Sequence, residues 1–274
     1  MRWSKIKNII ILLLAMVNVF LLAIVGMRSW RTQRAEQETR TRMVEVLEHS
    51  GITFLPEEIP GELEISGRQV SAAGLGEDEA AALVGPVTER TAAGTRITYT
   101  GEKGSATFAP GGEINVQFLA GTHPLGGADV GKAGEALLES LGIQGEETQR
   151  RTQGETVTLV FTQLWGEVPV PDLALTIVYR RGELSSLTGR CLAGTEETLS
   201  GSGTGISAAT ALVRFLEGLN QGGYVCSQVT KMYAGYMVSG TGTVTLTPAW
   251  YLQTDAWPWR FAVDGSTGAL TAEE

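Results

Sequence analysis

The chain has 274 residues and a formal net charge of −9, with 43% hydrophobic and 19% charged residues. This length is enough to bury a core in one large domain or two modest ones, and the moderate charge excludes a disordered chain. The acidic balance argues against a nucleic-acid partner, and two cysteines with two histidines leave little material for a disulfide framework or a zinc site.

The first distinctive feature is a long apolar segment. Residues 9–27 read IIILLLAMVNVFLLAIVGM, nineteen residues without a charge, and as a helix they match the thickness of about 30 Å of a bilayer core. Trp3 and Trp30 bracket the segment about 40 Å apart, where interfacial aromatic residues lie, and Lys5 and Lys7 add basic anchors. We therefore predict a transmembrane helix over 9–27.

A cleaved signal peptide is the competing interpretation. Its apolar region is usually about 7–15 residues long and ends at a small-residue cleavage site, whereas this run is longer and continues into Met27, Arg28 and a polar stretch. The short basic N-terminus favours a cytoplasmic segment over residues 1–8. The polar stretch after the span, in which apolar residues appear late and Gly51 follows, predicts a juxtamembrane helix over 28–50. The protein is then expected in the cell membrane as a single-pass protein with an extracytoplasmic C-terminal domain.

One face of the predicted span contains a polar residue near its centre. Leu14, Asn18 and Leu22 share a stripe at helical spacing, with Ala15 close by. Asn18 either bonds back along its own helix or makes an interhelical hydrogen bond, which contributes about 0.6–2 kcal/mol in lipid. We predict that these four residues form a partner-binding face.

The N-terminal residues also resemble a known family. Trp3-Ser4-Lys5-Ile6-Lys7, Ile9-Ile10-Ile11 and Asn18-Val19-Phe20-Leu21-Leu22 are similar to the opening of the YycI family. YycI proteins have one N-terminal transmembrane helix and an extracytoplasmic domain. Together with YycH they regulate the sensor kinase of a cell-wall two-component system in Gram-positive bacteria. The resemblance implies two partners, a sensor histidine kinase and a YycH-like protein.

The rest of the chain predicts an α+β ectodomain of repeated helix-plus-antiparallel-sheet units. Helical phrases ending at Gly or Asn recur at 44–52, 135–143 and 213–220, and short strand-like runs with tight turns follow each of them. We predict a first antiparallel sheet unit over 51–127 and helix-plus-sheet units over 128–198 and 206–274, which merge into two lobes in one alternative. The glycine-rich stretch 193–205 is predicted to be a linker.

The middle and the end of the ectodomain resemble PepSY modules. The similarity rests on Gln163-Leu-Trp-Gly-Glu-Val-Pro-Val, on Arg181-Gly-Glu-Leu-Ser-Ser-Leu-Thr-Gly, and on Trp259-Arg-Phe-Ala-Val-Asp-Gly-Ser-Thr-Gly-Ala-Leu. PepSY modules are small non-catalytic α+β units of bacterial envelope proteins. The resemblance implies an extracytoplasmic location.

Motifs that carry chemistry are scarce. Gly201, Gly203 and Gly205 lack the Gly-Lys-Ser/Thr ending that a phosphate-binding loop requires, so a linker is expected there. Cys191 and Cys226 either form a disulfide outside the cell or remain two separate buried thiols. Both histidines lie near turns that contain Gly or Pro, where a structural role is expected. The sequence therefore predicts neither catalytic residues, nor a metal site, nor a cofactor, nor a small-molecule substrate.

The C-terminal aromatic residues are the most distinctive feature of the ectodomain. Strand alternation places Trp257, Trp259 and Phe261 on one sheet face, and Pro258 suggests an edge strand. These side chains form either the core of the last unit or an exposed ridge for a partner protein, since Trp is enriched at interface anchors.

Three functions are compatible with the sequence. The leading prediction, which the YycI resemblance implies, is a non-enzymatic, membrane-anchored regulator of an envelope sensor histidine kinase that acts through its transmembrane helix and its extracytoplasmic domain. The alternative is a PepSY-like envelope protein that binds or inhibits a peptidase. A membrane-anchored hydrolase is the third, and no motif supports it.

Overall fold

The structure is a computed structural model that describes residues 40–55, 59–61, 63, 65–200, 205–240 and 242–273. Within these ranges, no helix combines the length and the apolar character needed to cross a membrane. The predicted transmembrane helix over 9–27 and the N-terminal segment over 1–8 lie outside the described residues and stay predictions. The predicted orientation and location stay predictions with them.

Four helices and fourteen strands are found among the described residues. In chain order they are α1 (residues 40–49), β1 (Gly67–Ala73), α2 (Glu77–Val84), β2 (Val87–Ala93), β3 (Arg96–Gly101), β4 (Gly104–Ala109), β5 (Glu113–Phe118), α3 (Val130–Glu139), β6 (Gly145–Gln153), β7 (Thr156–Trp165), β8 (Val168–Arg180), β9 (Glu183–Arg190), β10 (Ala193–Ser200), α4 (Ala208–Gly222), β11 (Val229–Ser239), β12 (Thr243–Thr254), β13 (Arg260–Asp264) and β14 (Leu270–Glu273).

The larger sheet has eight strands in the order β2-β3-β4-β5-β9-β8-β7-β6, and every neighbouring pair is antiparallel. Alternation along β5 turns Ile114, Val116 and Phe118 inward and leaves its polar residues exposed. Helices α2 and α3 cover the apolar face, where Leu83 and Leu138 pack with Phe161 in one core. This arrangement, with one buried and one solvated face, is typical of antiparallel sheets.

The smaller sheet has six strands in the order β10-β1-β12-β13-β14, with β11 paired to β12. The first half of β12 pairs with β1 and its second half with β13, so this long strand connects the whole sheet. Helices α1 and α4 pack on it through Leu47 and Phe215, and the latter contacts Phe261 edge-to-face at 5.4 Å between ring centroids. Trp250 is fully buried in this core, and its indole N–H donates to the carbonyl of Ile206 at 2.8 Å.

Buried polar contacts and a small apolar core join the two sheets. The side-chain amide of Gln163 in β7 donates to the carbonyl of Leu192 at 2.7 Å and accepts from its N–H at 2.8 Å. Asp172 in β8 accepts from the Val238 N–H of β11 at 3.1 Å and from the Arg260 guanidinium of β13 at 3.0 Å. The core at this junction contains Val70, Val170, Leu173, Leu192, Tyr236, Val244 and Leu246.

The predicted α+β class with antiparallel sheets is confirmed. The eight-stranded sheet takes strands from both the 51–127 and the 128–198 ranges, and the 206–274 range supplies β11–β14 to the other sheet. The prediction of a linker is wrong for residues 193–200, because β10 pairs with β1 along its whole length. The sequence of this strand does not alternate apolar and polar residues. It is recognised as a strand by its backbone pairing with β1 at the edge of the sheet.

Candidate interaction site

Three of the six large apolar side chains that are exposed in the described part of the chain lie on segments hydrogen-bonded to one another. Trp257 is 89% exposed, Val225 is 87% exposed and Leu55 is 62% exposed. Single exposed apolar residues are normal on protein surfaces, but three on connected segments are a candidate interaction surface. We call Leu55, Val225 and Trp257 the apolar tip.

The carboxylate of Asp255 holds two of the segments that carry the apolar tip. Asp255 Oδ1 accepts from the N–H of Ser227 at 2.9 Å and from the N–H of Gln228 at 3.0 Å, and Oδ2 accepts from the Ser227 hydroxyl. The Asp255 N–H in turn donates to the Gln228 carbonyl at 3.1 Å. The loop that carries Trp257 is therefore tied directly to the loop that carries Val225.

A third segment joins these two loops through the backbone. The Thr53 N–H donates to the Ser227 carbonyl at 2.9 Å, and the Val229 N–H donates to the Thr53 carbonyl at 3.0 Å. Leu55 follows two residues later, so all three side chains of the apolar tip lie on hydrogen-bonded segments. This fixation lowers the conformational entropy that binding would otherwise remove.

Aromatic contacts connect the segments next to the apolar tip to the core. The Trp257 N–H donates to the Asp255 carbonyl at 2.9 Å, which shapes the turn before β13. Trp259 contacts Tyr224 edge-to-face at 5.1 Å between ring centroids, and Tyr224 contacts Phe261 at 5.4 Å. These edge-to-face contacts connect Trp259, two residues after Trp257, to Phe261 in the core on which α4 packs.

The surroundings of Asp255 and Cys226 determine the protonation states of these two groups near the apolar tip. The Ser227 hydroxyl and the Gln228 and Ser227 N–H groups lower the pKa of Asp255, so this exposed carboxylate stays ionised well below neutral pH. Burial, with the Asp255 carboxylate beside it, raises the pKa of the Cys226 thiol to about 11. Because only the thiolate is nucleophilic, Cys226 is not an activated nucleophile at neutral pH.

The structure separates the three aromatic residues for which the sequence predicts one sheet face. Trp257 is exposed in a turn, Trp259 is half-buried, and Phe261 is fully buried in the core. The prediction of a shared face is wrong because β12 ends at Thr254 and β13 begins at Arg260, so Trp257 lies in the turn between two strands. Sequence reasoning missed Val225 and Leu55, which lie in short segments without periodicity.

The remaining predicted site residues have different outcomes. The transmembrane face of Leu14, Ala15, Asn18 and Leu22 lies outside the described residues. So do the interface anchors Trp3, Lys5, Lys7 and Trp30, and the glycines at 201 and 203. Cys191 and Cys226 are both free thiols, and burial raises the pKa of the Cys191 thiol to about 12.

His123 has a structural environment. Its ring packs edge-to-face on Phe118 at 4.8 Å between centroids, and Nδ1 lies 3.0 Å from the Thr122 hydroxyl. Burial, with Lys103 nearby, lowers its pKa. Among the described residues, no group of three His, Cys, Asp or Glu side chains is placed to hold a metal ion.

An open cleft lies at the end of the eight-stranded sheet that carries the β6–β7 and β8–β9 turns. It has a volume of about 1020 Å³ between the β6–β7 turn, the β8–β9 turn and the loop after β5. Three of its four charged side chains bind protein groups, since Arg181 pairs with Glu155 at 3.1 Å and Glu183 accepts from the Gly121 N–H at 2.8 Å. The cleft therefore offers paired charges rather than a converging catalytic group.

Comparison with known proteins shows a likeness in fold. An uncharacterized protein from Eubacterium rectale ATCC 33656, solved by crystallography at 1.45 Å resolution, superimposes with a TM-score of 0.53 and 13% identity over 77% of this chain and 86% of that one. The C-terminal domain of Bacillus megaterium YpeB superimposes with a TM-score of 0.37 and 10% identity over 68% of this chain and 87% of that domain. No family model matches the chain, and no curated protein matches it. At 13% identity, the likeness to the Eubacterium rectale protein shows a shared fold alone.

Proposed function

We propose that this protein is a non-enzymatic, membrane-anchored binding protein whose extracytoplasmic domain recognises another envelope protein through the apolar tip. The observation that carries the proposal is the 89% exposure of Trp257 on a loop that Asp255 holds in place. A tryptophan exposed to this extent gains nothing for folding. Burial of this side chain against a partner protein would stabilise the complex through the hydrophobic effect.

The size of that free energy supports a role in binding. An aromatic side chain buries about 150–250 Å², which corresponds to about 4–6 kcal/mol at about 25 cal/mol per Å² before the costs of association. Val225 adds about 1.5–3 kcal/mol on the same scale. Interface anchors contribute about 2 kcal/mol or more when they are truncated to Ala, so the tip is large enough to dominate an interface.

In its more specific form, the proposal makes the protein a regulator of a sensor histidine kinase. Residues 1–22 resemble YycI proteins. This resemblance implies that the transmembrane helices of the kinase bind the predicted anchor face, which consists of Leu14, Ala15, Asn18 and Leu22. The apolar tip would then bind a YycH-like protein outside the membrane. A coupling of about 1–3 kcal/mol between anchor packing and kinase state changes the equilibrium constant between the inactive and active kinase states about 5- to 150-fold.

The second candidate function is binding or inhibition of an envelope peptidase, which rests on the PepSY-like sequence segments. The two functions differ in what the anchor does. For a kinase regulator, exchange of residues 9–27 for an unrelated apolar helix abolishes the effect on kinase output. For a peptidase-binding protein the anchor is a tether, and the same exchange leaves function intact.

Site-specific photo-crosslinking in cells tests the proposal at both surfaces. A photoreactive residue at position 18 probes the anchor, one at position 225 probes the tip, and one at the 56%-exposed Leu119 is the matched control. We expect position 18 to capture a histidine kinase and position 225 to capture a second single-pass regulator, with neither captured from position 119. Capture of lipid alone from position 18, together with a peptidase from position 225, would favour the second function. Equal capture from positions 225 and 119 would contradict the role of the tip.

A further inference from the structure

An apolar cavity lies where the two sheets meet, away from the apolar tip. It has a volume of about 350 Å³, is partly open to solvent, and is lined by residues of the β2–β3, β4–β5 and β11–β12 hairpins and of the segments that follow β1 and β9. Its apolar wall includes Leu75, Ile97, Phe108, Leu173, Leu192 and Val244. A volume above about 300 Å³ with a mainly apolar lining is in the range of small-molecule sites.

The walls of this cavity are fixed by close backbone contacts. The Cys191 N–H donates to the Gly112 carbonyl at 2.9 Å, and a Cβ at Gly112 would lie 1.8 Å from the Cys191 carbonyl oxygen. Only glycine therefore allows the β4–β5 turn to approach the end of β9 so closely. The buried hydrogen bonds between Gln163 and Leu192 fix the next residue of the same segment, between β9 and β10. This wall of the cavity is therefore held in place.

One cation lines this otherwise apolar cavity. Arg190 is half-buried, and its Nε donates to the Gly111 carbonyl at 2.7 Å. Its register partner Glu113 pairs with Arg96 instead, at 3.3 Å. Among the described residues, no carboxylate lies within ion-pair distance of Arg190, so the Nη donors of its guanidinium are free to bind an anion.

We propose that this cavity binds an aliphatic carboxylate, with the hydrocarbon chain between the sheets and the carboxylate on the Nη donors of Arg190. The volume equals that of about twelve water molecules at about 30 Å³ each, which suits a chain of medium length. The guanidinium supplies a charge-assisted and bidentate contact for the head group, and the apolar wall supplies the affinity for the chain. This site is independent of the partner-binding function proposed above.

Calorimetric titration of the full chain in lipid nanodiscs with sodium octanoate tests the proposal, with empty nanodiscs as the blank. We expect one saturable site, an affinity that rises about fourfold for each methylene from butyrate to octanoate, and at least tenfold weaker binding of octanamide, which lacks the charge. R190Q lowers the affinity for octanoate at least tenfold and leaves that for octanamide unchanged. The matched control R180Q changes an exposed arginine at the end of β8 and leaves both unchanged.

A second variant tests the volume of the cavity rather than its charge. Ala109 lines the cavity at the end of β4, and A109L fills part of it and weakens octanoate binding without altering Arg190. The proposal is overturned by the absence of a saturable site, by equal binding of octanoate and octanamide, or by full affinity in R190Q. A short apolar peptide with a free C-terminus that binds more tightly than octanoate would also overturn it. The comparison of octanoate with octanamide needs only the wild-type chain, so it decides the question even if R190Q fails to fold.

Discussion

Replacement of Gln163 by Leu removes one of the buried polar contacts where the two sheets meet. Gln163 is 4% exposed, and its amide satisfies both the carbonyl and the N–H of Leu192, at 2.7 Å and 2.8 Å. Leu has a similar volume but no polar atom, so Q163L leaves one buried acceptor and one buried donor without a partner. Each unsatisfied group costs about 1–3 kcal/mol, and the added apolar contact offsets part of this. We expect Q163L to lower the free energy of unfolding by about 2–4 kcal/mol.

Urea denaturation of the full chain in nanodiscs, followed by tryptophan fluorescence, measures this loss. Q149L is the matched control, because Gln149 is exposed on the edge strand β6 and its replacement is expected to change stability by less than about 0.5 kcal/mol. Q163E adds a second check, since burial disfavours a charged carboxylate and only the protonated form both donates and accepts. Q163E therefore regains stability as the pH falls. A Q163L variant as stable as Q149L would refute the reasoning.

Three further predictions concern pH and packing. Because hydrogen bonds lower the pKa of Asp255, its stabilisation is fully present above the pKa of about 4 of an unfolded Asp and is lost as the pH falls; in urea titrations the stability difference between wild type and D255N should be constant above about pH 5 and shrink as the pH falls below about 4. Burial raises the pKa of Asp172, so ionisation of this carboxyl group opposes folding. The free energy of unfolding of the wild type should therefore fall relative to that of D172N as the pH rises from about 3 to about 6. A stability difference between the two that does not change with pH would contradict this. Phe215 is fully buried against Phe261, so F215A should cost about 3–5 kcal/mol in thermal or urea unfolding, and a loss below about 1 kcal/mol would contradict its place in the core.

Local sequence patterns predicted much of the larger sheet. The runs that become β3, β4 and β5 alternate apolar and polar residues and are separated by glycine-containing turns, so their hairpins follow from short-range signals. The helix before Gly51 was also predictable, because a glycine in the left-handed region after a helical phrase is a common C-terminal signal and Gly51 has φ 78°. These elements depend on neighbours in the chain.

Elements that depend on distant partners were not predictable in the same way. Strand β1 inserts between β10 and β12, which lie more than a hundred residues later in the chain, and neither β1 nor β10 carries an alternating apolar pattern. The hydrogen bonds of Gln163 with Leu192 likewise depend on how β7 meets the end of β9. Backbone pairing and buried polar contacts of this kind leave no periodic trace in the sequence.

The candidate site illustrates the same limit. The aromatic cluster drew attention to Trp257, yet its exposure follows from the turn that Asp255 forms with the 227–228 segment, a contact across 28 residues. Val225 and Leu55 have no neighbours in sequence that would single them out. Exposure on a fixed loop is a property of the fold, so only the structure identifies the apolar tip as a surface.

The most direct test of the proposed function is the affinity of the full chain for the partner captured at position 225, measured for wild type, W257A and L119A in nanodiscs. Trp257 and Leu119 are both more than half exposed, so neither substitution is expected to disturb the core. The account predicts that W257A weakens binding roughly 30-fold, which corresponds to about 2 kcal/mol, while L119A leaves the affinity unchanged. Equal affinities for wild type and W257A would contradict the proposal that the apolar tip is the binding surface.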